Sequence, residues 1–494
     1  MRIAAKLAAA LALACAAPGP AAAGPGVAIV IKDQAALRAA PRDSAQQQAV
    51  LWQGEMVEVR AERLDYLQVY DYGRERGGFV HASHLRRIDA TAGEAPELRA
   101  ILRYLRDAPG AEALGIGLAM AYIQAAPAEA LRGDAGVEVL DAIGTLADRL
   151  AQRASSGAER PKAVDARLAA QLDVATRYGI RFASYERAGR MQMCYEGEAF
   201  RRVLAMRSSP VQRARAALAL TRPECADPDL GPMERGRLVE WQAEVLDHVE
   251  PSALAGYLAN RILVRRASAW AGIAYARARN GETADAAARR ARAEFAAIRK
   301  SELSEEDLPD YNDAAMRVSA VRWAAAPPVS ATPRRPVFLA AEPGRPGETC
   351  VALQDARSVP GAILARRCTY GIVWTASATM NREGSALAVA VQPIGTWLEL
   401  WVFRKGPGGW TASVLPPAAA APGIGYAELA GWVPGGSEML VAREARGEGR
   451  YRRSFEVIRI DTLAASRQAG DPSVLGPFRR WRDPSWAAAT LSVR

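Results

Sequence analysis

In Tyr66-Leu67-Gln68-Val69-Tyr70-Asp71-Tyr72 the side chains alternate with the two-residue period of a half-buried strand, and Tyr66 and Tyr70, four apart, share one face. The pattern extends in both directions. Before it, Met56–Arg60 repeats the period with Val57 and Val59 on one face, and Ala49–Trp52 precedes a turn at Gly54. After it, Gly73–Gly78 makes a turn and Gly78-Phe79-Val80-His81 closes the run. Upstream, Val27–Ile31 starts a strand, and Leu37-Arg38-Ala39-Ala40-Pro41 leads into a polar loop, Arg42–Gln48. Five short strands in about 60 residues predict a small closed β-barrel, an arrangement that leaves no exposed edges. The domain is expected over residues 24–90.

Residues 1–23 have the layout of a secretory signal. Arg2 and Lys6 give a positive start, Leu7–Ala17 is apolar, Pro18-Gly19-Pro20 breaks the helix, and Ala21-Ala22-Ala23 supplies a cleavage site. The apolar run is too short to span a bilayer, and no later stretch qualifies. A lipid anchor at Cys15 is the competing reading, which would make an outer-membrane lipoprotein. Ala12 stands where a lipobox usually places Leu, so a cleavable signal and a periplasmic location are expected.

Residues 95–323 read as an all-α domain, for which a solenoid of paired helices is one arrangement. Spans are expected at Glu97–Arg106, Ala111–Ala125, Val137–Arg153, Ala163–Arg190, Glu198–Met206, Val211–Thr221, Glu234–His248, Ala253–Arg279 and Ala284–Lys300. Ser304-x-x-Asp307 has the form of a capping box for one more. Gly272, Tyr275, Ala284 and Ala291 resemble a single tetratricopeptide unit, without a repeat elsewhere at that period. Pro-rich residues 324–336 form a linker. Beyond it, residues 337–494 show period-two strands separated by Gly-rich turns. They predict an all-β domain, with Asn381 to Leu415 resembling one β-propeller blade and Trp432 to Asp461 a second; a sandwich is the alternative. The last strand is expected at Ala487–Val493.

Charge and cysteine usage narrow the function. The chain of 494 residues carries 64 Lys+Arg against 54 Asp+Glu, and Lys occurs only five times. That skew toward Arg, in so Ala-rich a chain, fits a GC-rich coding bias. The signal holds two cations and no acid, so its removal leaves +8, dispersed without long like-charge runs; no nucleic-acid footprint is expected. Of five Cys, four remain after Cys15, and the pairing Cys194–Cys225 with Cys350–Cys368 keeps each bridge within one segment. Each bridge would contribute roughly 3–4 kcal/mol by restricting the unfolded chain.

Residues 27–88 resemble a bacterial SH3 domain. Leu37-Arg38-Ala39-Ala40-Pro41, Leu51-Trp52-Gln53-Gly54, Tyr66-Leu67-Gln68-Val69 and Gly78-Phe79-Val80 follow the order of that family's features, with Phe79 where Trp is usual and His84 where Tyr is common. The resemblance implies binding of peptide or cell-wall fragments. Trp52, Tyr66, Tyr70 and Phe79 are the aromatics expected to do it, because rigid rings suit peptide capture.

Chemistry is sparse. The chain lacks the serine-elbow, phosphate-loop and zinc-helix motifs and has three His. His81-x-x-His84 has metal-pair spacing but lacks nearby Cys, so no metal and no cofactor are expected. Cys194, taken as opening a helix-like segment, and His248 define the alternative of a cell-wall cysteine peptidase. Tryptophans 397, 401, 410 and 432 suit either a sheet core or a sugar-binding face. A non-enzymatic envelope protein is expected, bound to peptidoglycan peptide or an envelope protein, with an assembly scaffold built on the helices as a further alternative.

Overall fold

The computed structural model describes residues 26–155, 161–187, 189–326, 337–355, 362–419, 423–447, 450–489 and 491. The signal-like segment and residues 327–336 of the expected linker lie outside them. The chain is multidomain: an N-terminal sheet, a helical middle region and C-terminal β-sheets. The described residues divide into two compact units, one ending at Arg202 and the other beginning at Val203. That boundary falls within the stretch expected to be one helical domain, so each unit owns part of the helices.

The first unit begins with β1 (Gly26–Val30), β2 (Ala35–Arg38), β3 (Gln47–Leu51), β4 (Met56–Arg63), β5 (Tyr66–Asp71), β6 (Arg76–His81) and β7 (Leu85–Ile88). They form one antiparallel sheet in the order β3-β2-β6-β5-β4-β1-β7. Seven strands therefore stand where five were expected. The four-residue β2 is too short to show a period, and β7 buries Leu85 and Ile88, whose spacing of three breaks one. One face packs Val30, Leu37, Leu51, Val57, Val69 and Val80 together.

Ile29 and Ile88 instead join the core of the helices that follow, with Leu98, Leu102, Ile116 and Leu146. Those helices are α1 (Ala95–Arg106), α2 (Glu112–Ala125), α3 (Ala128–Arg132), α4 (Asp134–Ser155) and α5 (Lys162–Arg177). Glu112, fully buried at the start of α2, is held by Arg149 at 2.7 Å and by Arg153. The helix expected over Ala163–Arg190 ends at Arg177. Gly179, at φ +84°, turns the chain, and the Ile180 N–H returns to the Ala175 carbonyl at 3.1 Å. A hairpin follows, β8 (Phe182–Arg187) and β9 (Arg190–Tyr195), then α6 (Glu198–Ala205).

The second unit contains α7 (Pro210–Leu220), α8 (Pro232–Asp247), α9 (Gly256–Arg279), α10 (Asp285–Ala296) and α11 (Leu308–Val321). The capping box expected at Ser304 does not form. Ser304 Oγ donates to the Asp307 carboxylate at 2.8 Å within a 3-10 turn, and α11 starts after it.

The sheets are built from β10 (Val337–Pro343), β11 (Thr349–Asp355), β12 (Ile363–Thr369), β13 (Ile372–Met380), β14 (Ala386–Ile394), β15 (Trp397–Gly406), β16 (Gly409–Leu415), β17 (Ile424–Trp432), β18 (Glu438–Gly447), β19 (Arg450–Arg459) and β20 (Ala465–Ala469). Strands β10 to β12 form a three-stranded antiparallel sheet. Strands β13 to β16 and β17 to β20 form two four-stranded meanders, joined by a short parallel pairing of β15 with β17. Alternate residues of β14 face opposite layers. Leu387, Val389 and Val391 pack against Val351 and Leu353 of the three-stranded sheet, and Ala386 and Ala388 against Met439 and Val441 of the second meander. The far side of that meander, with Tyr426, Leu440 and Phe455, shares a core with Ile262 and Ile273 of α9. Two short helices follow, α12 (Gly476–Trp481) and α13 (Pro484–Ala489), so the strand expected at Ala487–Val493 is a helix over its first three residues. Trp486 of α13 is buried against Phe478 of α12, 6.4 Å between ring centroids.

Candidate functional site

Strand register brings three of the four expected aromatics onto the outer face of the N-terminal sheet. Directly paired residues of antiparallel strands point the same way. Tyr66 is opposite His81, Gln68 opposite Phe79 and Tyr70 opposite Gly77, while Phe79 also pairs with Arg38 of β2. Tyr66, Phe79 and Tyr70 therefore lie in one patch with Gln68, Arg38 and His81.

At one end of the patch Tyr66 is almost fully buried, because the loop between β2 and β3 folds over it. Arg38 holds that loop by donating to the Ala45 carbonyl at 3.0 Å, and the Tyr66 hydroxyl donates to Asp43 Oδ1 at 2.6 Å. This hydrogen bond holds the Asp43 carboxyl below its usual range, with help from Arg38, His81 and His84. The same bond, reinforced by burial, raises the Tyr66 phenol. His81 meets the Tyr66 ring edge-on at 5.3 Å and lies 5.3 Å from the ring of His84.

The two histidines have fixed roles. His81 Nδ1 accepts from Ser83 Oγ at 2.7 Å and from the Ser83 N–H at 3.2 Å, so its neutral ring carries the proton on Nε2. His84 Nε2 accepts from Lys32 Nζ at 3.0 Å, which leaves Nδ1 protonated, enclosed and without a hydrogen-bond partner among the described residues. Burial first, and then Lys32 and His81, hold the His84 imidazole below its ordinary value of 6.5.

Tyr70, at the other end, is committed to its neighbours. The Arg60 guanidinium lies 4.0 Å from its ring centroid, and Tyr72 meets it edge-on at 4.9 Å. Trp52 stands outside the patch, half-buried in the turn after β3. That turn serves packing: Gly54 adopts φ +93° so close to α2 that a Cβ would come 2.6 Å from the Ala113 carbonyl, and the Tyr178 hydroxyl donates to the Gly54 carbonyl at 2.8 Å. Next to it Glu55 accepts two hydrogen bonds from Arg74, at 2.8 and 2.9 Å.

Asp43 and Lys32 were not singled out from sequence, and Arg38 entered only as part of the Leu37–Pro41 motif. Nothing in local periodicity shows that a polar loop will close over a tyrosine. The patch combines ring faces and edges with the Asp43 carboxylate and the Arg38 and Lys32 cations clustered at the Tyr66 end, groups that suit a peptide bearing both amine and carboxylate.

The residues of the peptidase alternative stand differently from its expectation. Cys194 lies in β9 and is buried, rather than opening a helix. His248 caps the end of α8, its Nδ1 hydrogen-bonded to the Glu244 carbonyl at 2.7 Å. Trp397 and Trp401 are buried within the sheets, with the Trp401 indole N–H donating to Glu399 at 3.1 Å and that of Trp432 to Thr379 Oγ1 at 3.0 Å. Cys350 and Cys368, directly paired across β11 and β12, form a disulfide. Among the described residues no helix is long and apolar enough to cross a membrane. No protein-family model, curated protein or solved structure matches the chain.

Proposed function

We propose that the N-terminal sheet is a bacterial SH3-type binding module of a secreted, non-enzymatic envelope protein, and that its outer face holds cell-wall peptide or an envelope partner. The observation that carries this reading is the patch itself: Tyr66 locked to Asp43, with His81 on its edge and Phe79 on the neighbouring strand beside Arg38. Rings fixed in this way lose little conformational freedom on binding. Asp43 would take a ligand ammonium, and Arg38 and Lys32 a carboxylate. Trp52 has no part in this version of the site, and Tyr70 contributes only its outer edge.

The Cys350–Cys368 disulfide supports an oxidising compartment. We extend that to a periplasmic location and to a second bridge, Cys194–Cys225. The two stacked meanders with the three-stranded sheet support a propeller-like reading of residues 337–494.

Co-sedimentation of the full chain with purified cell wall tests the targeting claim. Binding is expected to fall about tenfold or more in Tyr66→Ala and in Phe79→Ala, with Trp52→Ala near wild type. Equal binding by wild type and Tyr66→Ala would end the assignment to this face.

A further inference from the structure

The turn joining β10 to β11 folds a carboxylate back over the disulfide of the three-stranded sheet. Gly344 N–H donates to the Glu348 carbonyl at 2.9 Å, Glu348 N–H donates to the Arg345 carbonyl at 2.8 Å, and Arg345 N–H fixes Glu348 Oε2 at 3.0 Å. A Glu348 carboxylate oxygen and the Sγ atoms of Cys350 and Cys368 lie within 4.8 Å of one another. Gly344 closes the cradle: a Cβ there would approach Glu348 Oε2 to 2.6 Å and Cys350 Sγ to 2.9 Å.

We propose that Glu348, Cys350 and Cys368 form a redox-gated site for a thiophilic divalent cation, of which Zn2+ is the representative. While the disulfide is intact the sulfurs carry no thiolate charge and the site is closed. An external dithiol opens it. One of its thiolates attacks Cys368, half-buried on the edge strand β12, and Cys350 leaves as thiolate. The second thiol of the reductant then displaces Cys368 from the mixed disulfide. Two electrons and two protons pass to the protein, and the reductant departs as a disulfide.

The ladder keeps the two thiols together after reduction, because the register from Thr349↔Thr369 to Leu353↔Ala365 does not depend on the bridge. After reduction the sulfurs need stand only about 3.8 Å apart to share a tetrahedral ion at Zn–S distances of about 2.3 Å. Binding releases the two thiol protons. Glu348, already oriented by the Arg345 amide, supplies the third ligand and leaves a fourth position open. The bound ion in turn blocks reoxidation, so metal and disulfide exclude each other.

The test titrates Co2+, a spectroscopic stand-in for Zn2+, into the full chain before and after anaerobic reduction with dithiothreitol and desalting. One equivalent with a thiolate-to-cobalt charge-transfer band is expected in the reduced chain and none in the oxidised chain. Glu348→Gln, which keeps both thiols, is expected to weaken binding roughly tenfold or more. The Cys350→Ser/Cys368→Ser chain, which retains Cys194 and Cys225, is expected to show no such band. A reduced wild type without the band, a serine variant that binds as wild type does, or an unchanged Glu348→Gln affinity would each overturn the proposal.

Discussion

The N-terminal sheet and the first C-terminal meander use the same two-residue period to opposite ends. Along β5, Leu67, Val69 and Asp71 are buried while Gln68 and Tyr70 stay partly open to water. Along β14, every residue from Ala386 to Gln392 is buried, because apolar layers cover both faces. A sheet with one free face can display a row of side chains to a ligand. A sheet packed between two layers can offer only its turns and edges.

This contrast can be broken by substitution. The largest loss is expected from Glu428→Gln in β17. Glu428 is buried, paired with Arg322 and hydrogen-bonded by the Trp486 indole at 3.1 Å; leaving Arg322 unpaired should cost about 3–5 kcal/mol in denaturant unfolding of the second unit. Phe403→Ala in β15, at a fully buried position, should cost about 3–4 kcal/mol by the same measurement. The matching change on the free face, Phe79→Ala, should cost only about 1 kcal/mol while weakening cell-wall binding about tenfold. If Phe79→Ala destabilised as strongly as Phe403→Ala, the outer face would be a core and the comparison would fail.

The smallest effect is one of pH. His84 titrates below 6.5 when folded and near 6.5 when unfolded. In that interval the unfolded chain binds more protons, so stability rises with pH and is lost as the pH falls from 6.5 through the folded value. Thermal unfolding of the first unit between pH 7 and pH 5 should show this loss, and His84→Gln should reduce it. No loss in the wild type would remove His84 as its source.

Much of this was legible in the residues. The strands from Ile372 to Ile460 were recognisable because Gly-rich turns bracket apolar runs of similar length. Strand β12 was not, since Arg366 and Arg367 interrupt Ile-Leu-Ala-Arg-Arg-Cys and only an exposed edge strand tolerates them. The Ala-rich run to Arg177 concealed the β8–β9 hairpin, although Tyr178-Gly179 marks the stop. At the candidate site the period of β5 put Tyr66 and Tyr70 on one face, and the strand register adds Phe79 to that face. The partner of Tyr66 was hidden because Asp43 reaches it through a loop whose path is set by the Arg38–Ala45 hydrogen bond across its ends. The setting of Trp52 was hidden for a related reason: its turn packs against α2 and against Tyr178 just beyond α5, more than 50 residues downstream.

The lodging of Gly54 against α2 also bears on inheritance. A gene segment covering only residues 24–90 would carry every motif of the module, yet it would arrive in a new host protein with Ile29 and Ile88 stripped of their covering helices and the Gly54 carbonyl without its tyrosine. The portable unit, for recombination in nature or for cloning at the bench, is therefore longer than the motif that advertises it, and its safe crossover point lies beyond Tyr178.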